Sequence, residues 1–174
     1  DSGDPLPAQA EAIEFFVPPY TSSAEDLTLM GRLPRLRVVQ TLTAGVDNVL
    51  GHLPPGVTLC NAAGVHDAST AELAVVLTIA SLRHLDDFAR AMPKGRWLYG
   101  RHESLADKRV MILGFGSIGR AIARRLVAFE CEIVPVARSA REVDGHQVHA
   151  MSERDDLLPH VDVVLVIVPL TPET

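Results

Sequence analysis

Short apolar runs, separated by polar breaks that often carry proline or glycine, set out the elements of this chain. Residues 1–9 are polar and proline-bearing and read as a loose terminus. The run at 13–17 predicts a strand, stopped by Pro18 and Pro19. Ser22 or Ser23 then caps a short helix through Leu29, with Glu25 and Asp26 in its first turn, where the helix dipole favours acids. A second strand is expected at 37–42, followed by the loop Thr43-Ala44-Gly45-Val46-Asp47 and a short helical stretch. After the turn Pro54-Pro55-Gly56 comes a third strand at 57–60. This βαβαβ order predicts a small parallel sheet with helices on its faces.

The segment Ser69-Thr70-Ala71-Glu72 has the form of a capping box. The helix it opens carries Leu73, Val76, Leu77 and Ala80, extends beyond Leu82 and is apolar nearly all round, so it is expected to pack between two domains or two subunits. Residues 83–103 are more polar and read as a second helix and an extended arm.

A strand at 110–113 then runs into Gly114-Phe115-Gly116-Ser117-Ile118-Gly119 and a helix with Ile118, Ala121, Ile122, Leu126 and Phe129 on one stripe. Arg120, Arg124 and Arg125 fall on its solvated face. A strand is expected at 132–137, with Pro135 marking an edge or a bulge, and a short one at 147–150. Ser152 caps a brief helix, and the β-branched run 161–168 predicts a buried parallel strand. That gives four strands in this half, against about six in a complete doubly wound domain. The expectation is a fragment of a longer protein, its sheet unfinished and a first strand missing before Asp1.

The chain has 174 residues, 47% of them hydrophobic, and a net charge of −6. An acidic balance argues against nucleic-acid and anionic-membrane surfaces, leaving small molecules and other subunits as partners. The apolar run 73–82 is interrupted by Thr78 and Ser81 and is too short to span a bilayer. Cys60 and Cys131 are too far apart in sequence for a metal or redox motif, and read as reduced thiols of a cytoplasmic protein.

The order strand, GxGxxG, helix is what a dinucleotide-binding turn requires. Gly114 allows the tight turn, Gly116 bares the backbone to a pyrophosphate, and Gly119 lets the helix approach the strand. Ser117 and Ile118 lie at the helix N-terminus, whose N–H groups and dipole face the phosphates. An NAD-preferring fold ends its next strand in an acid that binds the ribose 2′-hydroxyl. Here that strand ends at Ala137 and continues Arg138-Ser139-Ala140-Arg141. Guanidinium groups pair with a 2′-phosphate, so Arg138, Ser139 and Arg141 favour NADP, with NAD as second choice. The other reading has Arg138 stacked on the adenine or facing solvent, with Glu142 or Asp144 reaching the ribose. Glu132 stands at the wrong end of its strand for that role. His66 and Asp67 are adjacent, but neighbouring loop residues point apart, so no acid–base pair is assigned to them.

Five segments, in order, resemble the D-isomer-specific 2-hydroxyacid dehydrogenases: residues 36–47, 61–66, 69–74, 114–119 and 166–174. The resemblance extends to NADP-preferring members of the glyoxylate/hydroxypyruvate reductase or phosphoglycerate dehydrogenase kind. It implies an α/β fold with a partial flavodoxin-like substrate domain at 1–68, an interdomain helix and arm at 69–104, and an incomplete Rossmann domain at 105–174. It also implies that Thr43, Ala44, Gly45 and Val46 offer backbone N–H groups to a substrate carboxylate. Thr70 would approach the nicotinamide, and Pro169 and Thr174 would lie beside the cofactor ribose. The family's catalytic arginine, carboxylate and histidine are expected beyond residue 174, so no catalytic residue is assigned here. The implied activity is hydride transfer between NAD(P)H and a small 2-oxo or 2-hydroxy acid, and the apolar helix from Ser69 with the arm after it predicts a homodimer. The rival is a nucleotide-binding regulatory or scaffold protein on the same fold.

Overall fold

A parallel three-stranded sheet and a mostly parallel five-stranded sheet organise the chain in the computed structural model, which describes residues 6–170. The chain divides into two compact units: the first ends at His66 and takes in Pro169, and the second is Asp67–Val168.

In the first unit, β1 (Phe15–Phe16), β2 (Val38–Gln40) and β3 (Thr58–Cys60) pair in parallel in that order. Val39 of the middle strand is fully buried and lies opposite Phe16 and Leu59. Helix α1 (Ala24–Thr28) starts at Ser23, whose Oγ accepts from the Asp26 N–H at 3.2 Å while Asp26 Oδ2 accepts from the Ser23 N–H at 2.8 Å. This reciprocal cap satisfies two backbone donors, and it holds the Asp26 carboxyl below the usual carboxylate range. Leu27 and Met30 then seal the core with Leu33, Leu36 and Val49, the last from α2 (Asp47–Leu50).

The second unit opens with α3 (Asp67–Arg83), which begins two residues before Ser69, so Ser69 lies inside the helix rather than at its cap. The Glu72 carboxylate meets Arg125 at 3.4 Å. The helix buries Ala71, Val75 and Thr78 but exposes Leu73, Val76 and Leu77, so the expectation of burial on all sides is not met within this unit. A separate helix, α4 (Leu85–Ala91), follows.

The sheet of this unit contains β4 (Arg109–Leu113), β5 (Glu132–Ala137), β6 (Arg141–Val143), β7 (His146–Ala150) and β8 (Val163–Val166), in the order β6-β7-β5-β4-β8. Helix α5 (Ser117–Leu126) connects β4 to β5, and α6 (Arg154–Leu157) precedes β8. Alternation along β4 divides the core: Val110 and Ile112 face Ile122, Leu126 and α3, whereas Met111 packs with Val134, Val136 and Leu157.

Three sequence expectations are corrected here. Strand β6 was not anticipated: it pairs antiparallel with β7 through Asp144 and Gly145, both at positive φ (51° and 78°), the geometry of a two-residue hairpin turn. Pro135 makes no bulge: the β4–β5 register is unbroken, and Glu132 donates its N–H to the Lys108 carbonyl just before β4, which turns the odd positions away from β4. On that side β7 pairs only with Val136 and Ala137, so no ladder bond is lost at Pro135. Finally, β8 is not buried on both faces: Val164 and Val166 are exposed, and no described element covers them. Glu132, at the start of β5, makes a two-pronged contact with Arg109 at 2.8 and 2.9 Å, a structural pairing at the end opposite the glycine turn.

The core assignment makes a stability prediction. Ile122 is fully buried and Val127, just past the same helix, is 60% exposed. Ile122→Ala is expected to cost about 2–5 kcal/mol. Val127→Ala should cost less than about 1 kcal/mol. Urea unfolding of both variants checks this, and equal costs would contradict the core as described.

Candidate functional site

At the end of β4 the chain enters the glycine turn through Gly114, at φ 104°. A Cβ there would lie 2.3 Å from the Ile167 carbonyl oxygen, and one at Gly119 would lie 2.1 Å from the Gly114 carbonyl oxygen. Neither position tolerates a side chain unless the backbone moves. Gly116 is different, because a Cβ built on it meets nothing within 4 Å. Packing therefore demands two of the three glycines, and the third leaves bare backbone beside open space where a pyrophosphate would sit. Gly116 is the N-cap of α5, so the unpaired N–H groups of the first turn and the positive end of the dipole are at this opening. The residues present fit a dinucleotide phosphate.

Neighbouring elements fix the rim. Ser117 Oγ donates to Asp67 Oδ1 at 3.1 Å, joining the first residue of α5 to the first residue of α3. Thr70, half-buried, lies one turn along α3 from that contact. Just past β8, the Ile167 N–H donates to the Leu113 carbonyl at 2.8 Å, so the chain leaving β8 backs the turn. Pro169 falls in the first unit, and Thr174 lies outside the described residues.

Past the buried Ala137, Arg138 and Ser139 are exposed. No described residue hydrogen-bonds or ion-pairs with the Arg138 guanidinium. The Arg141 guanidinium is engaged instead: Nη2 donates to the Phe115 carbonyl at 3.1 Å and Nη1 to the Ser139 carbonyl at 3.2 Å. Asp144, one of the acids considered for the ribose, sits in the hairpin turn 3.7 Å from Arg120. The His146 ring meets the Phe115 ring edge-on at 5.6 Å. Sequence reasoning missed these last three contacts. The Asp-Gly turn between β6 and β7 was the one signal that could have revealed the hairpin behind them.

In the first unit, the loop after β2 has its carbonyls occupied. Thr43 O accepts from the Ala62 N–H at 3.0 Å, Ala44 O from Asn61 Nδ2 at 2.9 Å, and Gly45 O from Thr43 Oγ1 at 2.6 Å. The peptides are trans, so the N–H groups of Ala44, Gly45 and Val46 point away from those carbonyls, and no described backbone acceptor takes them. Outward-facing N–H groups of this kind can bind an anion such as a carboxylate. Beside the strand ends is a cavity of about 490 Å³, lined by Tyr20, Leu42, Asn61, Val65 and His66 among others. His66 Nε2 is 3.2 Å from the Leu42 carbonyl. Among the described residues no group of three or more His, Cys, Asp or Glu is placed to hold a metal ion, and no helix is long and apolar enough to cross a membrane.

The chain is similar to known proteins along most of its length. Residues 75–174 match the sequence profile of the D-isomer specific 2-hydroxyacid dehydrogenase NAD binding domain. A hydroxyphenylpyruvate reductase of Plectranthus scutellarioides is 32% identical over 98% of this chain and 55% of its own length. A glyoxylate reductase of Thermococcus onnurineus is 31% identical over 86% of this chain and 48% of its own. The chain thus spans about half the length of the curated relatives it matches. Among solved structures, an NADPH-dependent glyoxylate/hydroxypyruvate reductase of Sinorhizobium meliloti, in complex with NADP and malonate, superposes with a TM-score of 0.79 at 27% identity, covering 99% of this chain and 55% of that one. A profile match over more than half of the residues, the glycine turn among them, makes the chain a member of the D-isomer specific 2-hydroxyacid dehydrogenase family.

Proposed function

We propose that this chain forms part of an NADP-preferring 2-hydroxyacid dehydrogenase that reduces a small 2-oxo acid, of the glyoxylate or hydroxypyruvate kind, by hydride transfer. The observation that carries the reading is the glycine turn, with Gly116 open at a helix N-terminus and two exposed residues, Arg138 and Ser139, in place of an acid after β5. Solved relatives in complex with NADP or NADPH support the choice of cofactor. The relatives named as glyoxylate and hydroxyphenylpyruvate reductases support the substrate class.

The nicotinamide, when bound, supplies the hydride. The residues of this chain then have three tasks. The first turn of α5 neutralises and orients the pyrophosphate through Gly116, Ser117 and Ile118. Arg138 and Ser139 take the 2′-phosphate, with Thr70, Pro169 and Thr174 along the remainder of the nucleotide. The N–H groups around Thr43, Ala44, Gly45 and Val46 receive the substrate carboxylate, an assignment supported by the carbonyls of that loop being already paired. No residue of this chain is proposed as proton donor.

We also propose a homodimer in the cytoplasm. On α3, Leu73, Val76 and Leu77 are 57–59% exposed at helical spacing, and Met92, Trp97 and Tyr99 beyond it are 76–90% exposed. So much apolar surface favours a second copy as its cover. The unpaired Cys60 and Cys131 suit a reducing compartment.

Two measurements test these readings. Titration of the full-length protein should give NADPH binding tighter than NADH by about tenfold or more, the worth of one or two charge-assisted hydrogen bonds, with Arg138→Asp abolishing the difference. Equal or tighter NADH binding by the wild type would contradict the NADP reading. Sedimentation at micromolar concentration should show a dimer, and a monomer would refute the proposed association.

A further inference from the structure

The two arginines that follow β5 are not equivalent. Arg138 is exposed and engages no described partner, whereas Arg141 spends both terminal nitrogens on backbone carbonyls. Those carbonyls belong to different loops. Phe115 O lies in the glycine turn after β4, and Ser139 O in the loop after β5. A guanidinium is a planar fork with fixed donor directions, so one that bridges two carbonyls fixes the spacing between them. Lysine, with a single ammonium on a flexible stem, cannot reproduce that geometry.

Two further contacts attach the same hairpin to the same turn. His146 of β7 packs its ring edge-on against Phe115, which is 2% exposed, and Asp144 pairs with Arg120 of α5 at 3.7 Å. The β6–β7 hairpin is thereby latched to the pyrophosphate end of the site, with Arg141 as the part of the latch nearest the ribose loop.

We infer that Arg141 is a positioning residue, and that its role differs from that of Arg138. Arg138 discriminates the 2′-phosphate. Arg141 holds the glycine turn and the ribose loop at the spacing a dinucleotide needs, and so serves NADPH and NADH alike. The inference deepens the functional reading above and rests on it. It also departs from the sequence expectation, which gave Arg138 and Arg141 one shared role.

The test is the pair of dissociation constants, for NADPH and for NADH, measured on wild type, Arg138→Ala, Arg141→Ala and Arg141→Lys, with circular dichroism to verify folding. Arg138→Ala should weaken NADPH by about tenfold and leave NADH within about threefold. Arg141→Ala should weaken both nucleotides by the same factor, about three- to tenfold, leaving their ratio unchanged. Arg141→Lys should behave like Arg141→Ala, because it keeps the charge and loses the fork. The inference is overturned if Arg141→Ala collapses the NADPH/NADH ratio as Arg138→Ala does, if Arg141→Lys restores wild-type binding, or if Arg141→Ala changes neither affinity. A wild type that prefers NADH sinks the NADP reading but still tests Arg141, through its effect on NADH. A folded wild type that binds neither nucleotide overturns both.

Discussion

The close approach of Gly119 to the Gly114 carbonyl is the constraint on which the second unit depends. A Cβ at residue 119 would fall 2.1 Å from that oxygen, so the helix reaches its position against the strand only because no side chain stands between them. With α5 seated there, Ile122 and Leu126 face Val110 and Ile112, and Ala71 and Val75 of α3 complete the layer. The same seating leaves the first turn of α5 open beyond Gly116. Packing and ligand chemistry thus have one cause: two glycines absent of side chain for steric reasons hold the third where its backbone faces solvent.

Charge is arranged to suit that opening. Two acids of the second unit are committed, Asp67 to the Ser117 hydroxyl and Asp144 to Arg120. Glu132 is held by Arg109 at the far end of the sheet. What faces outward after β5 is Arg138. A guanidinium there would attract a 2′-phosphate, and the proposed preference for NADP rests on that charge.

The α/β fold was legible because its determinants are local: proline stops after β1, a reciprocal Ser23–Asp26 cap, and a strand running into glycines and an amphipathic helix. Errors came where a distant contact decided. The start of α3 was placed at Ser69, whereas Asp67 is the first helical residue, and its carboxylate is used by Ser117, fifty positions along the chain. Burial of β8 was inferred from composition, yet which face is covered depends on elements elsewhere, and Val166 is 66% exposed. The β6–β7 hairpin has one local signal, Asp144-Gly145, both at positive φ. Arg141 and Phe115 lie 26 residues apart, and no periodicity relates them.

The central claim is that the glycine turn and the first turn of α5 receive the dinucleotide. Amide-resolved nuclear magnetic resonance during titration with NADPH tests this most directly. The account predicts that the signals of Gly116, Ser117 and Ile118 shift together, with Arg138 and Ser139 moving in the same titration. Saturable NADPH binding that leaves those amides unmoved would contradict it.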